Sequence, residues 1–207
     1  ITFEGGDGTG KTTQISAAEN YLRQRGQVCL TTREPGGTAL GKLVRKVLLE
    51  AGETDLAAPT ELFLYLADRA QHVKQVVVPA LTDGRVVLCD RFTDSTLAYQ
   101  GYGRGIDLDW LRRLNDTASD GLRPHLTLLF DCPVEAGLAR PAGRQDCANQ
   151  PHEDRFEREE LEFHRKVRSG FLELAGHEPN RFRVVDASRS VADVAEQVRQ
   201  ILDRELG

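Results

Sequence analysis

The chain has 207 residues, which is enough for one compact domain with a sizeable core and too few for two domains of ordinary size. Its 32 Asp and Glu residues outnumber its 27 Lys and Arg residues, and the formal net charge of −5 argues against a protein whose main task is to hold a nucleic-acid polymer. No apolar stretch reaches the length that a membrane helix requires, so we expect a soluble protein without a membrane partner.

The cysteines predict a reducing compartment. Cys29, Cys89, Cys132 and Cys147 show no C-x-x-C spacing, and the first three lie in or just after apolar runs. Buried free thiols explain this pattern better than a metal site does, and they suit the cytoplasm. The chain contains no Met, so we also expect that its natural start lies before Ile1.

Five short apolar runs alternate with longer stretches of helical periodicity. The runs lie at Ile1–Glu4, Val28–Thr31, Val86–Cys89, Leu126–Phe130 and Phe182–Val185. This alternation predicts a single α/β domain over residues 1–207, with a five-stranded parallel sheet and helices on both of its faces. Ligands bind such sheets beyond the carboxyl ends of the strands, so the residues that follow each run are the candidates for a functional site.

The first run is followed at once by GGDGTGKT, which satisfies the phosphate-loop pattern G-x-x-x-x-G-K-[ST] and leads into a helical stretch. Glycines let successive backbone amides turn toward phosphates, and the helix N-terminus adds a favourable dipole. We expect Lys11 to bridge the β- and γ-phosphates of a nucleotide and Thr12 to hold Mg²⁺. The predicted ATP-binding residues are Gly5, Gly6, Asp7, Gly8, Thr9, Gly10, Lys11 and Thr12.

Asp7 is the unusual member of this loop. A carboxylate beside a triphosphate is repelled unless Mg²⁺ or a sugar hydroxyl occupies it. The loop by itself leaves open whether the nucleotide is a substrate or a switch.

Tyr65 and Arg69 lie four residues apart in the helical stretch Leu62–His72, so they share a helix face. The tyrosine ring can stack on a base while the guanidinium donates to a base carbonyl. From the spacing alone, a core-facing Tyr beside a surface Arg is the simpler explanation.

The third run ends in Asp90-Arg91, which places a carboxylate and a guanidinium at the carboxyl end of a strand. Arg91 can clamp a phosphate in a bidentate fork, and Asp90 can reach the Mg²⁺ shell. The dipeptide alone is also consistent with an ion pair at the end of a strand.

Residues 141–154 are rich in Gly, Pro, Asn, Gln and Asp and lie between two helical patterns, as is typical of a mobile lid or of a plain exposed loop. Phosphoryl transfer needs positive charge around the transferring group, and the phosphate loop lacks an arginine. Arg140, Arg144 and Arg155 flank the segment. Closure of a lid at about residues 140–156 would deliver the missing charge.

The chain resembles the bacterial thymidylate kinase family in the phosphate loop and in three further segments. These are TREPGGT at 32–38, LADRAQH at 66–72 and DRFTDSTLAYQGYGRG at 90–105. The resemblance implies a P-loop kinase fold, transfer of the γ-phosphoryl group of ATP to thymidine monophosphate (dTMP) to give dTDP, Mg²⁺ as the metal, and a homodimer. The family commonly has Phe in place of Tyr65, and Tyr still supplies a stacking face. The segment between Arg144 and Arg155 is longer than the family usually has, so the resemblance leaves open which lid arginine reaches the phosphate.

The resemblance also implies an acceptor site. It puts Thr96 and Gln100 near the edge of the base and Tyr99 near the sugar, where Tyr99 would crowd a 2′-hydroxyl. The implied dTMP-binding residues are Asp7, Arg33, Glu34, Arg45, Tyr65, Arg69, Arg91, Thr96, Tyr99 and Gln100.

Within that set, Arg33 and Arg45 are the remaining candidates to hold the acceptor nucleotide, Arg45 through its monophosphate. The Glu34-Pro35 peptide bond is a plausible cis bond, since the chain turns tightly there. The predicted catalytic residues are Asp7, Lys11, Arg91, Arg140, Arg144 and Arg155, and the predicted metal ligands are Thr12 and Asp90.

Three other classes of protein fit less well. A deoxynucleoside kinase binds a neutral acceptor, which gives the arginines around Arg91 no phosphate to hold. A GTP-dependent switch requires an N-K-x-D guanine reader, which the sequence does not contain. A nucleic-acid-binding ATPase conflicts with the acidic balance of the chain.

Overall fold

The described residues form a sheet of five parallel strands in the order β2-β3-β1-β4-β5. The computed structural model describes residues 1–50, 56–140 and 159–206. Each pair of neighbouring strands is parallel, so the chain must cross over between them. The strands are β1 (Thr2–Glu4), β2 (Cys29–Arg33), β3 (Val86–Asp90), β4 (Thr127–Asp131) and β5 (Phe182–Asp186).

Helices occupy most of the chain between the strands. Two π-helical segments interrupt the ordinary helical winding, Val73–Val77 between α3 and α4 and Leu97–Gly103 directly after α5. The helices are α1 (Lys11–Gln24), α2 (Ala39–Glu50), α3 (Ala58–His72), α4 (Val78–Thr82), α5 (Thr93–Thr96), α6 (Leu108–Ala118), α7 (Val134–Leu138), α8 (Leu161–His177) and α9 (Val191–Leu206).

Side chains of β4 show why its sequence is apolar without alternation. Leu128 and Phe130 pack into a core with α1 and α9, whereas Leu129 points the other way into a core with α3, α6 and α8. Successive strand residues face opposite sides of a sheet, so a strand covered on both sides is apolar throughout. The predicted five-stranded parallel sheet with helices on both faces is confirmed.

The strands differ from the predicted runs mainly at their ends. β2 was predicted to end at Thr31 but continues through Thr32 and Arg33, which pair with Cys89 and Asp90 of β3. Thr32 and Arg33 are polar but still pair with β3 through their backbone. A search for apolar runs cannot detect such strand residues. The strand β4 begins at Thr127 rather than at the predicted Leu126.

Cys29, Cys89 and Cys132 are buried free thiols, as predicted. Cys147 lies outside the described residues. Of the helices that the structure describes, none combines the length and apolar composition that crossing a membrane requires.

Candidate active site

The phosphate loop follows β1 at the centre of the sheet and ends in the first turn of α1. Gly5, Gly8 and Gly10 have φ angles of 135°, 69° and 84°, in the region that side chains other than glycine rarely adopt. Gly10 is also the N-terminal cap of α1 and carries no side chain that could compete with a ligand for the first amides. The sequence pattern and the backbone conformation therefore agree in this loop.

Lys11 folds back into the loop. Its Nζ donates to the carbonyl oxygens of Gly5 at 3.1 Å and Gly6 at 2.6 Å, and to Thr9 Oγ1 at 3.3 Å. Burial of the ammonium, together with the nearby charge of Arg91, lowers the pKa of Lys11 to about 8.

Gly8 packs directly against the backbone of Gly137 in α7. A Cβ atom on Gly8 would overlap the Gly137 carbonyl oxygen, and a Cβ atom on Gly137 would lie 2.7 Å from the Asp7 carbonyl oxygen. These contacts leave no room for a methyl group on either side.

Gly8→Ala is expected to lower the free energy of unfolding by roughly 2–4 kcal/mol, because the left-handed φ angle and the overlap with Gly137 both penalise a side chain. The matched control is Gly6→Ala, since a Cβ atom there meets nothing within 4 Å. Urea unfolding of both variants without nucleotide checks the difference. Equal losses in the two variants would show that the Gly8 contact is not the cause.

Arg91 connects the phosphate loop to the end of β3. It has a φ angle of 66°, and it donates from Nη1 to the Gly5 carbonyl oxygen at 3.0 Å and from Nη2 to Asp7 Oδ1 at 2.7 Å. The guanidinium carbon lies 5.0 Å from the centre of the Tyr99 ring, and Tyr99 Oη donates to Asp7 Oδ2 at 3.1 Å. Asp7, Arg91 and Tyr99 thus form one partly buried cluster beside the phosphate loop.

Charge in this cluster controls the ionisation of Asp7. Burial acts to raise the pKa of Asp7, but the positive charges of Arg91 and Lys11 outweigh it and hold the pKa below its ordinary value. The aspartate is therefore an anion that both accepts from Tyr99 and neutralises Arg91.

Glu4 is a site residue that the sequence reasoning missed. It is fully buried at the end of β1, where Oε1 accepts from the Phe92 amide at 2.7 Å and Oε2 lies 2.6 Å from Ser95 Oγ. Ser95 Oγ in turn accepts from Arg91 Nη1 at 3.2 Å. A charged residue inside an apolar run was the available signal, and it was assigned only to the strand.

Burial and the neighbouring Asp94 raise the pKa of Glu4 to about 8. Between its ordinary pKa of 4.5 and about 8, the folded protein keeps a proton that the unfolded chain releases. The free energy of unfolding should therefore fall as pH rises through this window, by up to about 1.4 kcal/mol per pH unit.

Glu4→Gln mimics the protonated side chain and should remove this contribution. The expected result is that wild type is destabilised relative to Glu4→Gln as the pH rises from 5 to 8, and that the difference levels off above about pH 8. Urea titrations of both proteins at four pH values measure it. Parallel stability curves would show that Glu4 is already ionised in the folded protein.

Asp90 and Thr12 were predicted to hold the metal. Asp90 Oδ1 is buried, and no hydrogen-bond partner for it is present among the described residues. Thr12 is exposed in the first turn of α1. A carboxylate oxygen and a hydroxyl oxygen are ligands that suit Mg²⁺, so the chemistry of this pair fits the ion.

On the acceptor side, Arg69 is among the largest fully buried side chains of the described residues. Its Nε donates to Glu34 Oε2 at 2.8 Å, and its Nη2 donates to the Phe92 carbonyl oxygen at 3.0 Å. Nη1 donates to Thr96 Oγ1 at 2.9 Å and to Asn115 Oδ1 at 2.5 Å. The simpler explanation from the spacing, in which Arg69 lies on the surface, is therefore wrong.

Tyr65, one turn earlier in α3, is the half-buried member of the pair and shares its helix face with Arg69. The guanidinium of Arg69 has five N–H donors. The four hydrogen bonds that it makes to Glu34, Phe92, Thr96 and Asn115 leave one N–H for another acceptor.

Glu34 and its neighbours form a buried polar chain behind Arg69. Glu34 Oε1 pairs with His72 Nδ1 at 2.8 Å, and His72 Nε2 bonds to Thr32 Oγ1 at 2.7 Å. The Glu34-Pro35 peptide bond is cis, as predicted. Glu34 thus contacts Arg69 rather than the open part of the site.

Arg33 and Arg45 come together around Gly36. A Cβ atom on Gly36 would lie 3.2 Å from Arg45 Cδ and 4.0 Å from Arg33 Cδ. Arg45 Nη1 also donates to the Pro35 carbonyl oxygen at 3.1 Å. Two guanidinium side chains from β2 and α2 therefore flank one turn.

Thr96, Tyr99 and Gln100 are all buried. They belong to or directly precede the π-helical segment Leu97–Gly103, in which residues 97–101 are all buried. Gln100 Nε2 donates to Glu61 Oε1 at 2.8 Å. Glu61, like Asn115, is a buried polar partner that the sequence reasoning did not single out.

Of the three predicted lid arginines, Arg140 is described and lies beside the phosphate loop, with Nη1 at 3.4 Å from the Gly8 carbonyl oxygen. Arg144 and Arg155 lie outside the described residues, as does nearly all of the predicted lid at 140–156.

Comparisons with known proteins agree with this geometry. A sequence model of the family described as thymidylate kinase matches residues 3–198. The thymidylate kinase of Geobacter sulfurreducens is 54% identical over 202 residues, which cover 98% of this chain and 95% of that protein. The thymidylate kinase of Desulfovibrio desulfuricans is 53% identical over 204 residues, covering 98% of this chain and 94% of that protein.

A solved structure is also similar. The crystal structure of thymidylate kinase from Ehrlichia chaffeensis matches with a TM-score of 0.78 at 33% identity, covering 98% of this chain and 97% of that chain.

Proposed function

This chain belongs to the thymidylate kinase family, and on that premise we propose which residues carry the transfer of the γ-phosphoryl group of ATP to dTMP. The observation that supports the proposal most directly is the Asp7–Arg91–Tyr99 cluster, which joins the phosphate loop to the predicted acceptor side. A phosphoryl group that passes between two nucleotides needs such a junction, with positive charge at its centre.

On the donor side, the phosphate loop and the N-terminus of α1 bind the phosphates of ATP. Lys11 exchanges its loop carbonyl partners for β- and γ-phosphate oxygens, which as anions are stronger acceptors. Thr12 and Asp90 would hold Mg²⁺, which neutralises charge on the phosphates when it is bound.

On the acceptor side, the roles follow the character of each side chain. Arg33 and Arg45 bind the monophosphate, since they bring two guanidinium groups to one turn. Tyr65 stacks on the base. Asp7 and Tyr99 face the sugar, and Glu34 acts indirectly by holding Arg69.

The base is read by the buried row Arg69, Thr96 and Gln100. Thr96 accepts from Arg69, so the donor and the hydroxyl are held together in a fixed arrangement. Hydrogen bonds from such buried groups discriminate strongly, because a wrong base leaves them unpaired.

Arg91 positions the two phosphates and stabilises negative charge as the phosphoryl group moves. A general base is not required, because a phosphate monoester acceptor is already ionised near neutral pH. Arg140, Arg144 or Arg155 supplies further charge from the lid at about residues 140–156. The substitutions Arg140→Ala, Arg144→Ala and Arg155→Ala, compared by kcat, identify which of them acts.

The experiment that tests the function is a coupled assay of ADP formation with Mg²⁺ and ATP, offered dTMP or thymidine in parallel. The expected result is turnover with dTMP alone. Turnover with thymidine alone would contradict the acceptor site proposed for Arg33, Arg45 and Arg91 and favour a deoxynucleoside kinase. Loss of activity with EDTA and its return with excess Mg²⁺ tests the metal.

The chain acts as a homodimer in the cytoplasm. Leu40, Leu43 and Val47 form an exposed stripe along α2, at 46%, 64% and 47% exposure. Phe63 of the adjacent α3 is 52% exposed, and its ring meets that of Trp110 edge to face. An apolar surface of this kind is typical of a protein interface.

Leu43→Asp should convert the dimer to monomers, because the carboxylate would be buried without a partner at the interface. Sedimentation equilibrium of wild type and variant measures the mass. A wild-type mass of one chain at micromolar concentration would contradict the dimer.

A further inference from the structure

Glu61 lies in the first turn of α3 and is completely buried. Oε1 accepts a hydrogen bond from Gln100 Nε2 at 2.8 Å, and Oε2 accepts from Arg104 Nη2 at 3.3 Å. Arg104 is itself anchored by Glu159 at 2.5 Å and lies over the ring of Phe163. The carboxylate is therefore held from two sides, and one of these partners belongs to the proposed base-reading row.

The position of Glu61 in α3 points to the same site. Glu61, Tyr65 and Arg69 are spaced by four residues, so they follow one face of the helix. Tyr65, which is proposed to stack on the base, and Arg69, which is proposed to donate to it, thus follow Glu61 along the same helix face. A buried carboxylate at the end of this line has no role in the proposed transfer itself.

The contact decides how the Gln100 amide is oriented. A carboxylate only accepts hydrogen bonds, so it must face the amide NH₂ and not the amide oxygen. Gln100 Oε1 is thereby directed away from Glu61, and no donor to it is seen within the described residues. Without a fixed neighbour, the two orientations of a glutamine amide are nearly equal in shape.

We propose that Glu61 determines base specificity by presenting the carbonyl oxygen of Gln100, rather than its NH₂ group, to the base. The inference rests on the proposed function of the acceptor site. Thymine carries an N–H donor at N3 and a carbonyl acceptor at C4, which complement a Gln100 acceptor and an Arg69 donor. Cytosine carries an acceptor at N3 and an amino donor at C4. Its acceptor would therefore face the Gln100 acceptor, and its donor would face the Arg69 donor. Glu61 is thus a positioning residue that excludes cytosine.

Glu61→Gln tests this directly, because a glutamine at 61 can accept or donate and no longer forces one orientation on Gln100. The measurement is kcat/KM for dTMP, dUMP and dCMP. We expect the dTMP/dCMP ratio to fall by about 10-fold or more, mainly through KM, while the dTMP/dUMP ratio stays within about twofold. Thymine and uracil present the same two groups, so a general loosening of the site would not separate these ratios.

Two further variants show whether the effect passes through Gln100. In a Gln100→Met background, Glu61→Gln should change the dTMP/dCMP ratio by less than about twofold, since no amide remains to be oriented. Glu159→Gln is the matched control: it makes the same change on the other carboxylate that holds Arg104, and it should leave the ratio at its wild-type value.

If Glu61→Gln does not fold, Arg104→Gln provides the same test at a partly exposed position. Without Arg104, the Glu61 carboxylate loses the partner that holds it against the Gln100 amide, so the ratio should again fall. An unchanged dTMP/dCMP ratio in whichever folded variant is measured overturns the proposal. Failure of wild type to phosphorylate dTMP would instead reject the acceptor site itself.

Discussion

Arg91→Ala is expected to lower kcat for dTMP phosphorylation by about 10³-fold or more. Arg91 contacts the Gly5 carbonyl oxygen, the Asp7 carboxylate and the face of the Tyr99 ring, so its charge lies at the junction of the proposed donor and acceptor sites. Interactions that strengthen only as charge develops in the transition state act on kcat. Steady-state and single-turnover kinetics with dTMP and ATP measure the loss.

Arg91→Lys is the control for charge alone. It keeps one positive charge but not the planar fork that reaches Gly5 and Asp7 together, so we expect a smaller loss of about 10²-fold. Circular dichroism must show that both variants are folded. A kcat for Arg91→Ala within tenfold of wild type would contradict a central role for this side chain.

Arg69→Met is expected to lower the free energy of unfolding by about 3–5 kcal/mol, because it leaves the buried Glu34 carboxylate without its cation. For a chain of this size the loss corresponds to a fall in Tm of roughly 10 °C. Four hydrogen-bond acceptors, from the segment after β2, from α5, from α6 and from the segment after β3, lose their donor at once. Thermal and urea unfolding measure the effect.

Arg165→Met is the matched control. It removes the same kind of side chain from an ion pair with Glu135 in which both partners are more than half exposed, and such pairs contribute about 0–1 kcal/mol. In the double variant Arg69→Met, Glu34→Gln, part of the lost stability should return, since no carboxylate remains to be neutralised. Similar losses in Arg69→Met and Arg165→Met would show that burial does not strengthen the Arg69 pair.

Local patterns were sufficient to predict the phosphate loop and the sheet. Gly5, Gly8, Gly10 and Lys11 lie close together in sequence, and the strands are apolar because helices cover both faces of the sheet. The extension of β2 to Arg33 was not predictable in this way, since it depends on pairing with a strand far along the chain.

Contacts between buried polar side chains were the main feature that the sequence did not predict. Glu4 and Glu61 lie within an apolar run and an amphipathic helix, and neither pattern shows that their partners are Ser95 and Gln100. Such contacts form only after the sheet and helices have assembled. The π-helical winding of the segment that contains Gln100 was likewise not predicted by any local spacing rule.

The close contact between Gly8 and Gly137 has a consequence for protein engineering. The phosphate loop is not a self-contained structural unit, because it packs against the backbone of α7, the helix that follows β4. If residues Gly5–Thr12 were transferred to another parallel sheet, the neighbouring backbone there would also need a glycine to leave room for Gly8. The portable unit is therefore the loop together with a glycine-bearing turn of α7.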